Sequence, residues 1–144
     1  MMFKEIRFNS EGYKKSLKLR ERILRVPLGT TLSADDTSEE DRQHHFGMFN
    51  ASELIACVVI KPLDDTSVKL RQMAVAEHYQ GRGIGKRLIQ ATEDNLSRQG
   101  YKRIELFARK SVIGFYQKLG YQMEGEEFRE IGIPHIKMQK TISS

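Results

Sequence analysis

Arg71-Gln-Met-Ala-Val-Ala-Glu-His-Tyr-Gln-Gly-Arg-Gly-Ile-Gly-Lys86 reads as a strand, a short turn and the entry to a helix. Gly81, Gly83 and Gly85 alternate with Arg82, Ile84 and Lys86, so side chains are missing where the backbone turns and two cations flank the gap. Glycine lets a ligand or another segment approach the main chain closely. The first turn of the helix beyond has amide N–H groups without intrahelical partners, at the end where the helix dipole favours an anion. Together these make a candidate phosphate cradle. A dinucleotide fingerprint needs G-x-G-x-x-G after the first strand, whereas here the spacing is G-x-G-x-G in mid-chain. A nucleotide P-loop needs Lys followed by Ser or Thr, and Lys86 is followed by Arg87. The bare glycine pattern also fits a plain strand-to-helix turn.

Outward from this stretch the chain alternates strands and helices. Phe3, Ile6 and Phe8 mark an opening strand, and Ser10 is an N-cap for a helix over Glu11–Arg25 with Tyr13, Leu17, Ile23 and Leu24 near one face. Pro27 and Gly29 stop that helix. Thr30–Arg42 is a polar surface segment with a short helix expected at Ser38–Gln43. His44–Phe49, Leu54–Lys61 and Val68–Val75 read as antiparallel strands separated by turns. In the third, Val68 and Leu70 share one phase while Met73 and Val75 share the other. That slip at Gln72 signals either a bulge or a strand end buried on both faces. The helix opening at Gly83 carries an apolar stripe of Ile84, Leu88, Ala91 and Leu96, and Gly100 closes it. Lys102–Phe107 follows as a strand, which makes a βαβ crossover with parallel strands. A short helix over Ser111–Leu119 and a terminal hairpin built on Phe128–Ile131 and Pro134–Gln139 complete the chain.

A length of 144 residues suits one domain, residues 1–144. The longest apolar run, Leu54–Ile60, is too short to cross a bilayer, and the N-terminus lacks a signal-peptide core, so a cytoplasmic protein without membrane partners is expected. The lone Cys57 lies in that apolar run and reads as a small buried hydrophobe. A net charge of +5 suits an anionic small molecule as well as nucleic acid, but there is no Lys/Arg block and no nucleic-acid motif, so no nucleic-acid partner is expected. His44 and His45 are adjacent on a strand and point to opposite faces, and no metal site is expected.

Gln80-Gly-Arg-Gly-Ile-Gly85 resembles the Q/R-x-x-G-x-G/A signature of the GNAT acetyltransferases. Met73-Ala-Val75 is similar to the cofactor-facing strand of that family, and Phe115-Tyr-Gln-Lys-Leu-Gly-Tyr121 to its F-Y-x-x-x-G-[FY] segment. Leu19–Leu24 and Pro134–Met138 resemble its ElaA-like branch. The resemblance implies an α/β (α+β) fold: a mixed, mostly antiparallel sheet of six to seven strands, about four helices, and a splayed parallel pair that holds the cofactor. It also implies acetyl-CoA as co-substrate. The segment from Gln80 through Gly81, Arg82, Gly83, Ile84 and Gly85 to Lys86 would hold its pyrophosphate. Met73, Ala74 and Val75 would line the pantetheine arm, with Phe115 beside them.

The same resemblance makes Tyr116 the general acid that protonates the leaving thiolate, although a tyrosine there also reads as a core aromatic. A main-chain N–H near Met73 would stabilise the oxyanion. For the base, Glu77, His78, Glu105 and His135 are candidates, with His135 favoured by its place in the hairpin. Arg109 stands where many family members carry Asn. The acceptor would be an amine of a small molecule or a peptide, and a homodimer is left open. A non-catalytic acyl-CoA-binding domain of the same fold is the alternative.

Overall fold

The computed structural model describes residues 1–142. Its strands are β1 (Met2–Glu5), β2 (His44–Asn50), β3 (Glu53–Pro62), β4 (Ser67–Val75), β5 (Arg103–Arg109), β6 (Gln122–Glu130) and β7 (Ile133–Thr141). They form one sheet in the order β1-β2-β3-β4-β5-β7-β6, in which only β4 and β5 run parallel. The helices are α1 (Glu11–Arg20), α2 (Ala34–Thr37), α3 (Ile84–Arg98) and α4 (Ile113–Lys118). The expected strand count, helix count and parallel pair are all present. No helix among the described residues is long and apolar enough to cross a membrane.

Local chemistry sets most boundaries. Ser10 accepts the Tyr13 N–H at 3.2 Å and starts α1. That helix does not stay α-helical to Arg25; Glu21–Arg25 widen into a π turn and Val26–Leu28 tighten before left-handed Gly29. The short helix expected at Ser38–Gln43 is instead two pieces. Ser33 and Asp36 form a capping box that begins α2 four residues earlier, and a 3-10 turn covers Glu40–Arg42. In α3 the buried positions are Ile84, Gly85, Leu88, Ile89, Thr92 and Leu96, so Thr92 takes the place expected of Ala91.

Two apolar clusters sandwich the sheet. One lies beneath α1 and includes Ile6, Tyr13, Leu19, Cys57 and Ala74. The larger lies beneath α3 and α4 and includes Phe46, Ile55, Val58, Leu70, Leu88, Ile104 and Met138. Being covered on both faces, β3 is buried continuously from Leu54 to Ile60. Cys57 is 1% exposed and burial pushes its thiol up to about 12, as befits an inert core residue. Lys140 and Tyr121 both bond the Glu93 carboxylate at 2.9 Å and tie α3 to the terminal strands.

The phase slip in β4 is a bulge. Cys57 faces Ala74 and Val59 faces Arg71, leaving Gln72 and Met73 opposite the single Val58. Gln72 adopts φ 50°, a left-handed conformation that costs a non-glycine residue about 1–2 kcal/mol. Before the bulge Val68 and Leu70 enter the α3-side core; after it Met73 and Val75 do so, and Ala74 turns to the α1 side. The β4–β5 pairing runs only from Ser67–Arg103 to Leu70–Leu106 and then stops. Beyond that point the two parallel strands diverge and open a gap through the sheet.

Candidate active site

A cleft of about 830 Å³ occupies the gap between β4 and β5. At its α3 end the chain turns through Gly81 and Gly83, whose φ angles are 74° and 78° and whose would-be Cβ positions meet nothing within 4 Å. Gly83 is the N-cap of α3 and brings no side-chain cap, so the first amides of the helix remain free for a ligand. Gly85 lies against Met73, Val75 and Phe115; a Cβ there would stand 3.4–3.6 Å from their side chains. Thus the bulged strand, the helix start and the short helix α4 converge on one wall.

Met73, Val75, Gln80, Gly81, Gly83, Ile84, Gly85, Lys86, Phe115, Tyr116 and His135 all line the cleft. Ala74 and Arg82, also expected there, do not. Ala74 faces the α1-side core because the bulge sets its phase. Arg82 donates to the His78 carbonyl at 3.2 Å and sits 5.1 Å from the Tyr79 ring centroid, which draws it along the surface. Gln80 Nε2 donates to the Val75 carbonyl at 2.9 Å, so one main-chain group of that strand is already engaged.

Tyr116 is 7% exposed and packs edge-on between Phe115 and Tyr121. Burial pushes its phenol up to about 12, which keeps it protonated at neutral pH. Its hydroxyl makes no hydrogen bond among the described residues and is not sealed from the cleft.

The other mouth of the cleft opens on the α1 face. Alternation places Lys69 and Arg71 of β4, Phe107 and Arg109 of β5, and His135 of β7 on that face, opposite the α3-side core residues of the same strands. His135 is 4% exposed, and its Nδ1 lies 2.7 Å from the Ile133 carbonyl. A carbonyl only accepts, so Nδ1 donates to it, and Nε2 lies 3.7 Å from the Glu130 carboxylate. The other base candidates lie elsewhere. Glu77 pairs with Arg22 on the exposed surface at 3.1 Å, His78 is exposed, and Glu105 is held between Arg103 and Lys137 at 3.6 and 3.4 Å.

Behind this mouth lies a buried ionic network that has no counterpart in the sequence reading. Arg20 and Glu40 are fully buried and bonded through two contacts of 2.7 and 2.8 Å. Tyr13 and Arg71 each donate to the same carboxylate at 2.7 Å, and Arg20 also donates to the Gln72 side chain at 2.7 Å. Burial opposes ionisation of Glu40, but the Arg20 hydrogen bonds and charge overcome it and hold the carboxyl down at about 2. His45 Nε2 lies 2.8 Å from the Glu40 carbonyl. The signal available in the sequence was spacing, since Tyr13, Ser16 and Arg20 recur at three and four residues on the buried side of α1.

The sequence and the fold find their match among known proteins. The acetyltransferase (GNAT) domain family matches residues 30–142. YitI of Bacillus subtilis (strain 168), described as an uncharacterized N-acetyltransferase, is 31% identical over 132 residues, covering 87% of this chain and 89% of its own. In three dimensions, Escherichia coli ElaA superposes with a TM-score of 0.82 at 24% identity, over 96% of this chain and 98% of ElaA. An aminoglycoside 6'-N-acetyltransferase complexed with coenzyme A superposes with a TM-score of 0.81 at 21% identity, over 100% and 98% of the two chains. These structural likenesses speak for the fold, and the sequence matches speak for descent: the chain belongs to the GNAT N-acetyltransferases.

Proposed function

We propose that the chain, acting as one domain, moves an acetyl group from acetyl-CoA directly to a primary amine of a small molecule or peptide. The observation that carries this reading is the α3 entrance, where two open left-handed glycines and uncapped amides face the split between β4 and β5. A pyrophosphate fits there because its charge meets free N–H groups, the positive end of the helix dipole and Lys86. Lys86 would otherwise sit at the helix end that repels a cation. Past Leu70 the edge of β4 has no β5 partner, which leaves it open to an extended pantetheine arm laid alongside like an added strand.

Bound in this cleft, acetyl-CoA supplies an acetyl group activated as a thioester. The chain's own residues handle the protons. His135 Nε2 takes a proton from the acceptor nitrogen as its bond to the acetyl carbon forms. The Met73 N–H stabilises the oxygen of that carbon. Tyr116 Oη gives its proton to the sulfur as the carbon–sulfur bond breaks, and solvent restores it. The products are an N-acetylated amine and a free thiol.

Gly83→Asp tests the cradle. Asp tolerates the left-handed region comparatively well, so its main effect is a negative charge at the phosphate position. CoA affinity, measured by titration calorimetry, is expected to fall at least about 100-fold, whereas the uncharged Gly83→Asn loses much less, since charge-assisted bonds are worth about 1.5–3 kcal/mol each. Unchanged affinity in Gly83→Asp overturns the reading. Tight CoA binding without turnover on any amine identifies a non-catalytic acyl-CoA-binding domain instead.

A further inference from the structure

The α1-side mouth holds more positive charge than its own carboxylates balance. Four cations line the cleft there, Arg25, Lys69, Arg71 and Arg109, against Asp36 and Glu130. Arg25 pairs with Asp36 at 3.1 Å. Arg71 pairs with Glu40 at 2.7 Å, but Glu40 is already matched by the buried Arg20. Lys69 and Arg109 form no ion pair within 4 Å among the described residues. Lys69 instead rests 3.7 Å from the Phe107 ring centroid, and Arg109 donates only to the Leu24 carbonyl, at a long 3.3 Å. Both are half-buried, and burial lowers the pKa of each from its usual value, with Arg25 adding to the effect at Arg109 and the shared Glu130 carboxylate opposing it at both. Two partly desolvated cations that share one opening and lack a dedicated counter-ion are costly in the free protein. An incoming anion relieves that cost.

We propose that the acceptor is a small amine carrying a carboxylate, and that Lys69 and Arg109 bind this carboxylate at the α1-side mouth of the cleft. Arg109 supplies a planar fork suited to a carboxylate, and Lys69 a compact charge held in place by Phe107. Glu130, the remaining carboxylate at this mouth, faces His135 and takes the ammonium end of the same molecule. A polycationic acceptor is disfavoured by the same excess of charge. The inference rests on the acetyl-transfer reading above and adds the substrate class to it.

The test is a panel of matched amines, each amino acid beside its decarboxylated counterpart, with acetyl-CoA as donor and thiol release as readout. CoA affinity is measured separately by calorimetry. The expected result is a kcat/KM at least tenfold higher for a carboxylate-bearing member than for its partner. Arg109→Gln and Lys69→Gln are each expected to shrink that ratio at least tenfold, chiefly through KM, with CoA affinity unchanged. Equal rates within pairs, preference for the decarboxylated members, or inactivity of every amino acid in a protein that binds CoA overturns the proposal. Loss of CoA binding itself would sink the donor-site reading instead, so the two failures are distinguishable.

Discussion

Burial suits Tyr116 to the general-acid role proposed for it. With its phenol raised to about 12 and its hydroxyl unpaired among the described residues, it stays protonated at neutral pH and has no hydrogen bond there to lose. Tyr116→Phe is therefore expected to lower kcat by about 100-fold, within the usual range for a positioned general acid, while CoA affinity changes by less than about twofold. An unchanged kcat would reduce the residue to a packing aromatic between Phe115 and Tyr121. The role of this residue was suggested by a motif, since Phe115-Tyr116 sits in a recognisable segment. The role of Glu40 was not suggested by anything local. It lies in a run of Ser, Glu and Asp that reads as solvated surface, and only packing shows it fully buried.

At the scale of elements, the bulge in β4 is the feature on which the cleft depends. It reverses the strand's phase, aims Met73 and Val75 at the α3 entrance and lets β4 part from β5. Its left-handed Gln72 is held from the α1 side by Arg20, which Glu40 holds in turn. Removing the carboxylate leaves Arg20 charged, buried and unpaired. Glu40→Ala is expected to cost about 3–5 kcal/mol in urea unfolding. Gln72→Gly should cost about 1 kcal/mol or less, because relief of about 1–2 kcal/mol of left-handed strain offsets most of a charged hydrogen bond worth about 1.5–3 kcal/mol. Equal losses from the two substitutions would mean that the network does not anchor the bulge through Arg20. The slip itself was legible as a mismatch between two period-two patterns, but the pattern alone also fitted a strand end buried on both faces.

For the whole molecule, buried titratable groups bound the pH range of stability. His45 is buried with Nε2 against a carbonyl and Nδ1 without a partner among the described residues, and burial lowers its pKa below 6.5. Below pH 6.5 the unfolded chain therefore takes up a proton that the folded one resists, and stability declines. Glu40 adds to this loss, beginning as the pH falls below its ordinary 4.5 and running through its folded value of about 2. On the alkaline side Cys57, Tyr13 and Tyr116 are all raised to about 12, chiefly by burial. Their stabilising contributions are complete below their ordinary values of 9.0 and 10.0 and are lost as pH rises toward 12. Thermal melts across pH should show a plateau between about pH 7 and 9 with a fall on either side. In Glu40→Gln the part of the acid-side fall below about pH 4.5 should shrink; an unaltered acid limb would assign that fall to other groups.

The sequence by itself determined the order of strands and helices, the βαβ crossover and the glycine turn into the helix at Gly81–Lys86. Those features are written in short-range signals: periods of 2 and 3.6, caps, and glycines where the backbone turns. It placed Ala74 and Arg82 with the rest of the cradle because neighbours in a motif look equivalent in one dimension. In the fold neither lines the cleft: the phase of the bulge turns Ala74 to the α1-side core, and Arg82 lies along the surface beside Tyr79. Only the folded chain brought Lys69, Arg109 and His135 to one mouth, and only there did Lys69 and Arg109 turn out to form no ion pair among the described residues. Pairing and desolvation of charges depend on contacts between residues tens of positions apart, which local patterns do not encode.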